Sequence, residues 1–432
     1  MASPHRERRL RLLASLGDAV AILPTAPERV RNADCFFPFR ADSHFLYLTG
    51  FSEPEALLVL DGRTGRSGLF CRKKHPEREI WDGFRHGPAG AAERFGFDDA
   101  WPIDELDERM PDLLAGREAV HWPVGKDPAF DARVAGWLQS VRLRERQGVS
   151  APSVCVNVLD AIDEMRLVKD ADEIALMRQA GSISAGAHVA AMRTARPGLF
   201  EYQVEAEIVA HFMRHGARQP AYESIVAGGA NACTLHYVGN HDVLRDGDLL
   251  LIDAGCEYQG YAGDITRTFP VNGRFTGPQR DVYEIVLAAQ MAAIDAISPG
   301  APLTAPADAA LTILAQGMLD LGLLGGSLDG VLESGAWKQF YMHGIGHMIG
   351  LDVHDVGRRH VAGGVRRFES GMCTTVEPGL YIRPAPGVPE AFHHIGIRIE
   401  DDVLVTETGA EAYTRDVPKT VEAIEALMSE RD

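Results

Sequence analysis

Five residues able to hold a metal, Asp253, Asp264, His347, Glu377 and Glu400, stand at or beside short apolar runs spread over some 150 residues, and no other feature restricts the fold as strongly. The first closes Leu249-Leu-Leu-Ile-Asp253, a strand-like run whose terminal carboxylate needs a partner wherever it is buried. Asp264 follows eleven residues later in Gly263-Asp-Ile-Thr-Arg267. A hairpin turning at Tyr258 and Gln259 would set the two aspartates directly opposite each other. Their Cβ atoms would then be ~4.5–5.5 Å apart, which suits two cations ~3.5–4 Å apart. Taken singly, each aspartate also fits an ordinary turn.

His343 and His347 are four residues apart, as in helical zinc pairs, but Gly344, Gly346 and Gly350 favour a loop or strand end that other backbone approaches closely. A lone histidine is usually a satisfied structural group. Here His343, His347 and His354 fall within twelve residues, beside Asp352 and Asp355, and the cluster points to function. Gly344-Ile-Gly346 lacks the helix and acidic partner of a dinucleotide loop. Glu377 lies between Thr374-Thr-Val376 and Pro378-Gly379, where a turn can present its carboxylate. In Ile395-Gly-Ile-Arg-Ile-Glu400 the isoleucines share one face and Gly396, Arg398 and Glu400 the other. Alone, that second face also reads as a solvent-exposed ion pair. An oxygen-rich set with one histidine suits Mn²⁺ or a similar ion better than a structural zinc, which prefers closed Cys/His sites.

A chain of 432 residues exceeds one ordinary core, so two domains are expected, at 1–157 and 158–432. In the first, runs at 19–23, 45–49, 56–60 and 68–71 read as strands, and 103–114 and 131–144 as helices, giving an α/β unit. Arg6 to Arg11 and the apolar residues after them imitate a signal peptide. Asp18 interrupts the run and no small-residue cleavage site follows, so a first helix running into a strand is expected. Pro152 and residues 153–159 read as the link to the second domain. That domain opens with a helix capped by Asp170 and Glu173, ending at Arg196-Pro-Gly198. A helix at 202–215 and strands at 249–253 and 261–270 follow. Helices at 279–297, with Thr276 and Gln279 as a capping box, and at 305–321 then precede strands near 372–376, 396–400 and 403–406. This recurrence of two helices followed by strands fits an α+β unit built from two related halves around a shared site.

A net charge of −18 opposes binding to nucleic acid, which needs a basic footprint. No apolar run reaches the ~18 residues of a membrane span. Six scattered cysteines without a C-x-x-C pair fit reduced, mostly buried thiols in a cytoplasmic protein.

The five ligands, with His343-Gly-Ile-Gly-His347, Leu351-Asp-Val-His-Asp-Val-Gly357 and Glu377-Pro-Gly-Leu-Tyr381, resemble the pita-bread metallopeptidases. Within them the chain is similar to the Xaa-Pro aminopeptidase (aminopeptidase P) family along nearly its full length, including residues 31–34, 37–51 and 53–55. The resemblance implies an α/β N-terminal domain and a pita-bread catalytic domain. It implies that Asp264 and Glu400 bridge two Mn²⁺ ions (Co²⁺ or Zn²⁺ being alternatives), that Asp253 completes one, and that His347 and Glu377 complete the other. A hydroxide held between them would attack the scissile carbonyl, with Glu377 accepting its proton. By the same resemblance His236 and His354 contact substrate and stabilise the tetrahedral intermediate, and His343 lies beside the proline pocket. Tyr381 and Arg398 support the site and the substrate, and Asp34, Trp81 and Arg146 stand at its mouth. The implied substrates are peptides with proline second, and the implied assembly is a homodimer or homotetramer. Prolidase, which cleaves Xaa-Pro dipeptides with the same ligands, is the near alternative, and a non-catalytic peptidase-like binding module the distant one. Metal-free creatinase-type relatives lack this ligand set.

Overall fold

The computed structural model describes residues 3–430, which divide into two compact units, Met1–Arg166 and Leu167–Asp432. In the first, six strands run in the order Asp99–Pro102, Arg66–Cys71, Leu57–Asp61, Ala19–Pro24, Ala119–Trp122, Val154–Asn157. Ala19–Pro24 is antiparallel to Leu57–Asp61 and parallel to Ala119–Trp122. Val20, Ile22, Phe70 and Val120 from this sheet are buried together with Trp137 and Leu138 of the helix Pro128–Arg142. Each such side chain contributes on the order of 1.5–3 kcal/mol by leaving water.

Two readings change here. The run at 45–49 is not a strand but the helix Ser43–Thr49, started by Asp42, whose carboxylate accepts from the His44 and Phe45 amides, and stopped by Gly50 at φ 64°. Residues 153–159 are not a link either. Val154–Asn157 is the last strand of the sheet, parallel to Ala119–Trp122, so the division falls after Arg166 instead of at 157.

The second unit opens with the helix Ala171–Thr194, whose Asp170 and Glu173 form a reciprocal capping box. The helix Glu201–Arg214 and a three-stranded antiparallel sheet of Ile225–Gly228, Leu249–Asp253 and Thr266–Pro270 follow. The element order then repeats with helices Gly277–Asp295 and Ala305–Asp320, and with a sheet of Cys373–Val376, Asp401–Val405 and Ala410–Ala412. Gly379–Ile382 pairs with Ile395–Arg398 beside it. Phe212, Ile252, Phe269, Val286, Phe340 and Ile397 belong to one continuous core.

Short polar bonds fasten the two halves of this unit. The Glu400 amide donates to Thr266 O at 3.0 Å, Thr268 Oγ1 to Arg398 O at 3.0 Å, and the Asp264 amide to Asp402 Oδ2 at 3.0 Å. Behind them Arg267 and Asp401, neither exposed, form an ion pair at 2.8 Å that Lys419 joins. Among the described residues no helix is long and apolar enough to cross a membrane. The six cysteines are unpaired, four buried and two exposed.

Candidate metal centre

A cavity of about 720 Å³ in the second unit is walled by nine of the ten residues expected there: His236, Asp253, Asp264, His343, His347, His354, Glu377, Arg398 and Glu400. The tenth, Tyr381, is buried behind the wall. Asp34, Trp81 and Arg146 belong to the first unit, in the turn between Val30–Asn32 and Cys35–Phe36, on the helix Pro76–Asp82, and in the turn Glu145–Gln147.

The aspartates meet by a different route from the expected hairpin. Asp253 faces Thr266 across the ladder, and the hairpin tip pairs in a separate small sheet through Glu257 and Ala262. Asp264 stands in the irregular stretch between. At Gly255 an added Cβ would lie 1.7 Å from Gly263 O, so only glycine lets the two limbs come this close. The Tyr222 hydroxyl then touches both carboxylates, 2.6 Å from Asp253 Oδ1 and 2.5 Å from Asp264 Oδ1.

His347 lies in a glycine-spaced loop, as its neighbours require. Its Nδ1 donates to Met348 O at 3.1 Å, which turns the Nε2 lone pair toward Asp264 Oδ2 at 3.5 Å and Glu377 Oε1 at 3.6 Å. Burial lowers this imidazole to about 4, so it is neutral at pH 7 and has a lone pair that a cation could take. Donor atoms of Asp264, His347 and Glu400 all lie within 4.8 Å of one another.

A second chain of bonds supports the opposite side. Arg398 donates to Asp253 Oδ2 at 2.6 Å, to Thr266 Oγ1 at 3.1 Å and to Tyr381 Oη at 2.9 Å. Thr266 in turn donates to Glu400 Oε2 at 2.6 Å. Tyr381 Oη donates to His343 Nε2 at 2.8 Å, because His343 Nδ1 gives its proton to Gly344 O at 2.8 Å. Burial lowers His343 to about 4. Burial alone would also lower Arg398, but Tyr381, Asp253 and Glu400 outweigh it and hold the guanidinium charged.

Four carboxylates thus face one guanidinium. Burial first, and then Asp253 and Asp402, push Asp264 well above the carboxylate range. Burial and Asp264 do the same to Glu400, and burial raises Glu377 to about 7. The Tyr222 contacts agree: one phenol proton cannot serve two ionised carboxylates, so without a cation Asp264 carries a proton of its own. A cluster that cannot stay ionised unaided, beside a neutral imidazole with a free lone pair, fits divalent cations bound through oxygen and nitrogen.

A stability prediction follows. A carboxylate raised in the folded state favours folding fully below its unfolded pKa of ~4.3 and loses that contribution as pH rises through its folded value. For Glu377 the window closes near 7, and Asp264 and Glu400 act in the same direction. Chelator-treated protein is expected to gain more in denaturation midpoint from added Mn²⁺ at pH 8 than at pH 5. Equal gains at both pH values would contradict this electrostatic account.

Sequence reasoning missed Tyr222 and Thr266. Thr266 is two residues from Asp264 and opposite Asp253, so strand alternation could have found it. Tyr222 belongs to no motif, and nothing in its spacing marks it.

A carboxylate and histidine cluster held at the meeting of two antiparallel sheets, in a chain with a separate α/β unit before it, defines a metal-dependent hydrolase. Residues 175–407 match the model of metallopeptidase family M24, and residues 5–121 that of the aminopeptidase P N-terminal domain. The chain belongs to metallopeptidase family M24, in its Xaa-Pro aminopeptidase branch, and is a metallo-exopeptidase. It is 46% identical to the Xaa-Pro aminopeptidase of Escherichia coli K12 over 95% of this chain and 93% of that one. Its structure is similar to aminopeptidase PepP of Pseudomonas aeruginosa, with a TM-score of 0.97, 48% identity, and 99% and 98% of the two chains covered. It is also similar to the zinc-substituted Escherichia coli aminopeptidase P in complex with product, with a TM-score of 0.96, 45% identity and the same coverage. These matches agree with the expected α/β N-terminal domain and α+β pita-bread domain.

Proposed function

We propose that this protein removes the first residue from peptides of three or more residues whose second residue is proline, using two Mn²⁺ ions, with Co²⁺ or Zn²⁺ able to substitute. Asp264 and Glu400 would be shared between the ions, with Asp253 completing one and His347 and Glu377 the other. When bound, the ions supply Lewis acidity for the scissile carbonyl and a water of lowered pKa. The observation that carries the reading is the convergence of all five sequence-separated ligands on one cavity wall.

The chain's own groups supply the rest. Glu377, on the cavity wall, can take a proton from the attacking water and release it to the departing proline nitrogen. That nitrogen bears no hydrogen in the substrate, so a peptidase that grips an N–H at this position fails on the bond. His236 and His354, exposed on two separate loops of the wall, are suited to contact substrate oxygens and steady the tetrahedral intermediate. Ile225, Leu235, Val238 and Val353 give the cavity its apolar lining, and neutral His343 offers a flat face for the proline ring.

The reading extends to a homodimer or homotetramer in the cytoplasm. Ile80, Trp81 and Phe84, each at least 66% exposed, are apolar surface of the kind a second copy covers. Unpaired cysteines fit a reducing compartment.

Incubating Mn²⁺-reconstituted protein with an Xaa-Pro dipeptide and a matched Xaa-Pro-Yaa-Zaa peptide, with products identified by mass, tests this. The first residue is expected to leave the longer peptide at equal or greater efficiency. Cleavage confined to the dipeptide would make the protein a prolidase, and cleavage of neither would overturn the reading.

A further inference from the structure

The wall residue His236 sits with Leu235 and Val238 on a loop that, after the short turn Gly229–Cys233, has neither helix nor strand up to residue 242. The loop's far end is anchored by the buried Asn240, which bonds the Val226 amide, Ser224 O and Glu205, and the part around His236 is held on both sides by one side chain, Glu201, which begins the helix Glu201–Arg214 and is 0% exposed. Its Oε1 accepts from the Gly228 amide at 2.8 Å and from Asn231 Nδ2 at 3.0 Å. Its Oε2 accepts from Tyr237 Oη at 2.8 Å and from the Asp242 amide at 2.9 Å.

Two of these donors come before His236 in sequence and two after it. Four donors fill the acceptor positions of an ionised carboxylate, leaving none spare. Among the described residues no lysine or arginine pairs with Glu201. A buried charge normally requires compensation, and here all of it comes from the His236 loop and its approaches, as charge-assisted bonds stronger than neutral ones. None of the five ligands touches Glu201.

We propose that Glu201 is a positioning residue. It fixes the loop bearing His236 and so aims this imidazole at the substrate and the tetrahedral intermediate, leaving the metal ligands alone. This rests on the functional reading above for its kinetic part and stands apart from it for its structural part.

Glu201→Gln turns an amide N–H₂ against two of the four donors, and Tyr237→Phe is a milder variant that removes one donor and keeps the ring. With Mn²⁺-loaded protein, three quantities are to be measured: metal content, hydrogen exchange of the amides at 234–242, and kcat/KM on an Xaa-Pro-Yaa peptide. For Glu201→Gln we expect unchanged metal content, accelerated exchange confined to the loop, and a kcat/KM lowered about tenfold or more. Tyr237→Phe is expected to move the same quantities less. Loop exchange at the parent rate in both variants would overturn the proposal. So would loss of metal together with global exchange in Tyr237→Phe, or a kcat/KM at the parent value in Glu201→Gln. If the parent cleaves no Xaa-Pro peptide, the functional reading fails, and loop exchange with retained metal alone upholds or overturns the bracing role.

Discussion

Replacing Asp264 by alanine is expected to abolish peptide hydrolysis and metal binding together. Asp264 shares the Tyr222 hydroxyl with Asp253 and approaches His347 Nε2 at 3.5 Å, and one of its oxygens lies within 4.8 Å of donor atoms of His347 and Glu400. The loss should therefore exceed the ~10–100-fold typical when only an outer hydrogen-bond partner of a ligand is removed. Elemental analysis after dialysis, alongside the rate on a tetrapeptide, makes the comparison. Full activity with metal still bound would mean that the centre has been assigned to the wrong residues.

The second large effect is on stability. Lys169 and Asp355 form an ion pair at 2.8 Å with both side chains only 1% exposed. The Asp355 amide also donates to Met348 O at 2.8 Å, and a Cβ on Gly350 would come within 2.3 Å of the Asp355 carboxylate, so the pair locks the loop that carries His354. Removing one buried partner strands the other's charge and costs ~3–5 kcal/mol, a large share of the ~5–15 kcal/mol that holds a folded domain. Chemical denaturation of Asp355→Ala is expected to show a fall of that size. The double replacement Lys169→Met with Asp355→Leu should recover much of it, since similar-sized apolar pairs often match a buried ion pair. A single variant within 1 kcal/mol of the parent would show that solvent reaches the stranded ammonium.

How far the sequence alone could be read depended on whether a signal was local. The capping boxes of Asp170 with Glu173 and of Thr276 with Gln279 were legible because each is a spacing of three. The five carboxylate and imidazole residues that meet on the cavity wall were legible because each ends or flanks an apolar run. The run at 45–49 was ambiguous, since five apolar-rich residues serve a buried helix as well as a strand. Asp42 and Gly50, a start and a stop residue, were the cues that decide it. Val154–Asn157 was hidden by its position as the last strand of its sheet, where exposed residues alternate weakly. The hairpin between Asp253 and Asp264 was read as a simple ladder, although Gly255 and Gly263 break it into two sheets. Glu201 and Tyr222 could not be read at all, because their roles come from partners that only the folded chain brings near.

The polar bonds across the second unit carry a consequence for biosynthesis. Thr266 and Glu400, joined by a 2.6 Å bond, are 134 residues apart in the chain. A ribosome delivering ~5–20 residues per second exposes Asp253 roughly 7–30 s before Glu400. Throughout that interval the nascent polypeptide displays carboxylates with no completed partner set. Contacts so distant in sequence also form late and slowly. The full set of cavity-wall carboxylates therefore exists only after translation has passed residue 400, and an interrupted translation product that stops short of it lacks the bond that ties the two halves of the second unit at Thr266.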